Sequence, residues 1–190
     1  MANVMNNGQG PSARGEYLTP EEVTGTSDPL DLLKGDHFRL RHVCALLDAA
    51  AGLPSKEPGD IEHVRQFLAG ELATHIADEE EDLFPLLRER CAPEDEIARM
   101  IALLEQDHLR QIEASGDCLA ILEDIGAAGQ TLTGDQSETL RKFARAKRKH
   151  LSLENAILMP LARARLKPSD LTGMLHSMRK RRGLGPQAEG

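Results

Sequence analysis

Apolar residues recur every three or four positions along four stretches of the chain, the spacing of one buried helix face. The first stretch opens at Ser27-Asp28-Pro29, a capping pair with proline early in the first turn, and carries Leu30, Leu33, His37, Leu40, Cys44 and Leu47 before Gly52-Leu53-Pro54 ends it. The second begins near Gly59-Asp60 and carries Val64, Leu68, Leu72, His75, Glu79, Leu83 and Leu86, with Pro85 expected to kink it or mark its last turns. After the break at Cys91-Ala92-Pro93, the third runs from Pro93-Glu94 through Ile97, Ile101, Leu104, His108, Ile112, Leu119 and Leu122 to Gly126–Gly129. A loop around Thr131–Asp135 leads to the fourth, with Leu140, Phe143, His150, Glu154, Leu158 and Leu161. A short fifth segment, Ser169 to Arg182, opens on a serine read as its cap.

With no alternating strand pattern, this predicts an all-α protein: an up-down-up-down antiparallel four-helix bundle over residues 28–166. A flexible arm is expected over residues 1–27, which are rich in Gly, Asn, Ser, Thr and Pro, and a short C-terminal helix and tail over 167–190.

Polar residues interrupt these apolar faces, and they do so twice in the same way. Asp36-His37-Phe38-Arg39 is followed by His75 and Glu79, then Leu83 and Pro85; Asp107-His108-Leu109-Arg110 is followed by His150 and Glu154, then Leu158 and Pro160. Each half reads D-H-x-R, then H-x-x-x-E-x-x-x-L-x-P, as in duplicated helical hairpins. Residues four apart share a helix face, so His37, His75, Glu79, His108, His150 and Glu154 all point into the core near mid-helix. Burying six such groups without partners costs several kcal/mol.

Metal ions resolve that cost. Imidazole and carboxylate are good donors to first-row divalent metals, and a bundle core accommodates such clusters. The symmetry assigns one metal to His37 and His75 and the other to His108 and His150, with Glu79 and Glu154 bridging. Nitrogen and oxygen donors with shared carboxylates favour two iron ions, with manganese or zinc as substitutes, over a closed structural zinc site.

Composition narrows the rest. Aromatic residues make up 3% of the chain and tryptophan is absent, so the core is aliphatic. A net charge of −8 argues against nucleic acid as a partner. Neither a membrane span nor a secretory leader is legible in the sequence, and a cytoplasmic location is expected. The basic runs Arg141–Lys149 and Arg179–Arg182 read as solvated helix faces or ends, and Cys44, Cys91 and Cys118 as free thiols. His42, His63 and His176 fall outside the repeat and are assigned to the surface or to helix packing.

Taken together, Asp36, His37 and Arg41, the pair His75 and Glu79, the lone His108, and the pair His150 and Glu154 resemble the HHE cation-binding branch of the hemerythrin-like family, over residues 28–166. The resemblance implies an oxo- or hydroxo-bridged di-iron centre that meets oxygen, nitric oxide or peroxide. The chain departs from the oxygen-carrying members, which have a second histidine four residues after the third-helix ligand, where Ile112 stands here, and an aspartate where Asn155 stands. With four histidines rather than five, simple oxygen carriage gives way to binding or sensing of oxygen, nitric oxide or peroxide. Two alternatives use the same ligands: an enzyme that reduces peroxide or nitric oxide or oxidises ferrous iron, and an iron-handling protein of the stress response. The sequence points to no protein partner.

Overall fold

The computed structural model describes residues 25–52, 58–128 and 131–185, so most of the expected N-terminal arm (1–24), two stretches between helices and the last five residues lie outside the described residues. Four long helices and a shorter one follow each other, and no strand occurs among the described residues. Helix α1 spans Pro29–Gly52, and Asp28 caps it by accepting from the Leu30 backbone N–H at 2.8 Å. Helix α2 runs over 58–90, α3 over Ile97–Ala128, α4 over 134–165 and α5 over Pro168–Arg181. Thr133 caps α4 in a reciprocal exchange with Gln136.

Two of these starts differ from expectation. Helix α3 begins at Ile97 rather than near Pro93, because Pro93–Asp95 forms a separate 3-10 turn and Glu96 then takes a left-handed conformation, with φ at 49°. Helix α5 begins at Pro168, so Ser169 lies inside its first turn. The cap is supplied instead by Asp170, which accepts from the Lys167 backbone N–H at 2.9 Å.

Helix α1 packs against α2 and α4, α3 also packs against α2 and α4, and α5 lies across α1 and the middle of α2. The apolar side chains form two clusters. One gathers Leu40, Cys44, Leu47, Leu72, Leu122 and Leu140; the other gathers Leu30, Leu33, Leu87, Leu104, Leu158 and Met178. Each fully buried leucine contributes about 1.5–3 kcal/mol, and the polar residues of the repeat fall between the clusters on all four long helices. No helix among the described residues is long and apolar enough to cross a membrane.

Both H-x-x-x-E segments end in a widened turn. Residues Asp78–Leu83 and Glu154–Leu158 are π-helical, and the Phe84 and Met159 backbone N–H groups reach back five residues to the Glu79 and Glu154 carbonyls. The following residue is proline in each case, Pro85 or Pro160, which has no N–H to donate and whose ring a regular turn would crowd. Helix α2 therefore continues past Pro85 to Arg90. The extra residue also moves the buried face forward by one: Phe84 and Leu87 are buried where the regular period selected Leu86, which is only partly buried.

Other expectations are corrected by burial. Ile112 is 45% exposed, and the inward line of α3 instead runs through His108, Gln111, Ser115 and Cys118. Lys147, taken with its neighbours as solvated, is fully buried in the gap between Phe143 and His150. Arg179 is also buried, and Arg181 and Arg182 fold back onto the bundle instead of ending in solvent.

Candidate metal centre

The six side chains singled out by the repeat meet at one level between the two apolar clusters, and all are at most 2% exposed. They form two overlapping groups: His37, His75, Glu79 and Glu154, and Glu79, His108, His150 and Glu154. Within each, one donor atom per residue lies within 4.8 Å of the others. Both glutamates are shared. Glu79 reaches His37 at 3.6 Å, His75 at 3.7 Å and His108 at 3.2 Å; Glu154 reaches His37 at 3.5 Å, His108 at 3.9 Å and His150 at 2.6 Å. The His108 and His150 Nε2 atoms stand 3.0 Å apart.

This donor set fits metal ions. Both ring nitrogens of His37 and His75 and all four carboxylate oxygens of Glu79 and Glu154 are buried without a hydrogen-bond partner. Groups so placed in a core normally find one. In the protein alone, opposite charges hold the cluster together. Burial pulls the His108 pKa down, but Glu154 and Glu79 outweigh it and raise it to about 10; His37 is likewise raised against burial, by Glu79 and Glu154. Burial and the neighbouring Glu79 push Glu154 up, yet His108 and His150 bring it to about 2, and His75 and His108 overcome burial to hold Glu79 well below the usual carboxylate range.

The outer faces of the histidines show what hydropathy missed. Glu80 places Oε1 2.8 Å from His108 Nδ1. The widened turn at Asp78–Leu83 alters the angle at which Glu80 leaves the helix. A carboxylate accepts, so Nδ1 carries a proton, and with a metal bound the Nε2 lone pair would face the cluster. His75 Nδ1 faces Asp36 at 3.6 Å, and His150 Nδ1 faces Asp107 at 3.7 Å. The ring of Phe84 stacks on His108, with centroids 5.8 Å apart.

Behind Asp36 stands a clamp from α5. Arg182 donates to Asp78 at 2.6 Å and to Asp36 at 3.3 Å. Arg181 contacts Asp78 and donates to Glu81 at 2.9 Å and Asp82 at 3.0 Å. Arg39 also pairs with Asp36. Burial would raise the Asp36 pKa, but His75, Arg39 and Arg182 together lower it. The second half of the repeat has Leu153 at the position of Asp78, and among the described residues no arginine pair clamps it.

A further pair lies one turn from the cluster. Gln111 follows His108 by three residues, Lys147 precedes His150 by three, and the Lys147 ammonium donates to Gln111 Oε1 at 2.7 Å. The sequence signal was present: position 147 fills the only gap in the inward period of α4, but the residue there is polar. The histidines outside the repeat stay outside the cluster; His42 and His63 lie 6.4 Å apart, both half-buried, and His176 is exposed. The cysteines are free, and burial pushes the Cys44 and Cys118 thiols up to about 11 and about 12. Asn155 spends its amide on the Leu151 carbonyl at 2.6 Å.

The family model of the hemerythrin HHE cation binding domain matches residues 28–162, from the start of α1 almost to the end of α4. No curated protein and no solved structure matches the chain.

Proposed function

The chain belongs to the hemerythrin HHE cation-binding family, and on that premise we propose that His37, His75, Glu79, His108, His150 and Glu154 hold two iron ions at which oxygen, nitric oxide or peroxide is bound or sensed. One ion would take His37 and His75, the other His108 and His150, with both glutamates shared. The observation that carries this reading is the pair of overlapping donor groups whose carboxylate oxygens all lack a protein hydrogen bond. When bound, such ions supply redox chemistry and open positions for a small ligand.

The residues of the chain do the rest. With metal bound, Glu80 would hold the His108 proton on the outer nitrogen and leave its inner nitrogen to ligate, while Asp36 faces the outer nitrogen of His75. Phe84 and the two leucine-rich clusters exclude water from above and below. The four long helices are taken to run up-down-up-down, because each meets the two clusters in the opposite order from the helix before it.

Metal analysis of anaerobically purified protein tests the reading, with about two irons per chain expected by analogy with carboxylate-bridged bundles. A folded protein that takes up no metal would overturn it. Ligand-dependent absorption changes without turnover support binding or sensing; steady consumption of peroxide or nitric oxide under reducing conditions would replace that reading with an enzymatic one.

A further inference from the structure

Lys147 is 0% exposed, yet no carboxylate of the described residues lies within ion-pair range of it. Of the three donors an ammonium carries, one is used, on the neutral Gln111 amide. A buried lysine is normally paired, and leaving its donors unanswered is costly. Burial lowers the Lys147 pKa and the nearby carboxylates of Glu154 and Glu79 counter it, while Lys147 in turn works to lower the His108 pKa. The carboxylates do not answer the ammonium once metal is present. Two divalent ions would outweigh the two glutamates, and a charged Lys147 would add to a surplus that an anion relieves.

A groove borders Gln111 from the outside. It runs between α3 and α4, with a volume of about 550 Å³ and walls that include Asp107, Gln111, Phe143 and Ala146. Gln111 thus separates the groove from the ammonium by one hydrogen bond. Arg110, Lys142 and Lys149 line the groove as well, offset by Asp107, Glu113 and Asp117.

We propose that Lys147, held by Gln111, is a specificity residue that makes this centre favour a small anion, of the hydroperoxide or azide type, over a neutral diatomic. The anion would accept the free donors of the ammonium while it binds at the metal pair. The inference rests on the di-metal reading, and the test separates the two.

Azide is the probe for the oxidised, iron-loaded full chain, followed by absorption; nitric oxide is the neutral comparison on the reduced protein. Replacing Lys147 by methionine, which keeps length and apolar bulk, should weaken azide about tenfold, the loss of a charge-assisted hydrogen bond, and leave nitric oxide within about twofold. It should also slow iron loss to a chelator, because a positive charge next to the cations has been removed. A purely structural lysine predicts the opposite for iron, since disturbing the core would loosen the centre. Lys147→Arg, which keeps charge and donors, should restore azide binding. The proposal is overturned if azide binds Lys147→Met as it does the wild type, if azide and nitric oxide weaken together, or if Lys147→Met loses iron faster. Wild-type protein that holds no iron overturns the di-metal reading itself, a result distinct from the other three.

Discussion

Asp36 and Asp107 occupy the same place in the two halves of the repeat, each facing the outer nitrogen of a histidine on the following helix, yet their surroundings are opposite. The Asp36 side chain is 3% exposed and ringed by Arg39 and Arg182; that of Asp107 is 41% exposed and answers Arg110 on its own helix. The first half is braced by α5, through Asp78, while the second half borders a solvent groove and holds a buried lysine instead. The two halves of the repeat therefore present matching sets of candidate ligands in unequal surroundings: one is braced by α5, and the other borders a groove.

The largest effect should come from breaking the brace. Replacing both Arg181 and Arg182 by alanine leaves Asp78, which is fully buried, without its cations and Asp36 with Arg39 alone, and this should cost about 3 kcal/mol in unfolding free energy. Asp107→Ala, the matching change in the other half, removes an exposed pair and should cost under about 1 kcal/mol. Urea unfolding of both metal-free variants measures the contrast. Equal losses would mean that the halves are equally braced.

Next comes pH. In the metal-free protein the folded His108 pKa, about 10, lies above its ordinary 6.5, so its contribution is fully present below 6.5 and is lost as pH rises through about 10. Glu154 is the reverse: its folded value of about 2 lies below 4.5, so its contribution is present above 4.5 and fades as pH falls toward 2. Metal-free protein should thus be most stable between pH 4.5 and 6.5, and His108→Asn should flatten the alkaline flank. An alkaline flank unchanged in that variant would remove His108 as its cause. Metal uptake at neutral pH should release protons, measurable with an indicator dye, because the imidazoles must shed them to ligate.

How much of this was legible beforehand depends on what each residue's signal was. The helices, the six converging side chains and their pairing followed from period and repeat, because hydropathy and spacing are local. Lys147 and Gln111 were invisible to the same reading, since it takes polar residues as solvated; the empty place between Phe143 and His150 was the only hint. Leu87 replaced Leu86, and Glu80 turned toward His108, because a π-helical turn adds a residue that a constant period cannot anticipate. The clamp of Arg182 on Asp78 joins residues 104 positions apart, and no local pattern encodes such a pairing.

A smaller effect is expected from Glu80. Glu80→Ala removes the acceptor behind His108 and should lower metal affinity about tenfold, the usual weight of a partner behind a ligating histidine. The loss should fall on the ion nearest His108, seen as a fast phase of release to a chelator that the wild type lacks. Uniform release from the variant would place Glu80 outside the support of the second half.

The smallest effect is expected where the oxygen carriers have their extra histidine. Ile112 is 45% exposed, since the inward residue one turn after His108 is Gln111, anchored there by Lys147. Ile112→His should therefore leave metal content and absorption unchanged and shift stability by no more than about 0.5 kcal/mol, as for an ordinary surface position. A new ligand-dependent band in that variant would show that α3 can rotate by a residue's width, and the second half would then be adaptable instead of merely open. Without that rotation the fifth ligand is closed off by register: an imidazole at 112 begins on the solvent side of α3, and turning it inward would expose Gln111 and strand the Lys147 ammonium without its one acceptor.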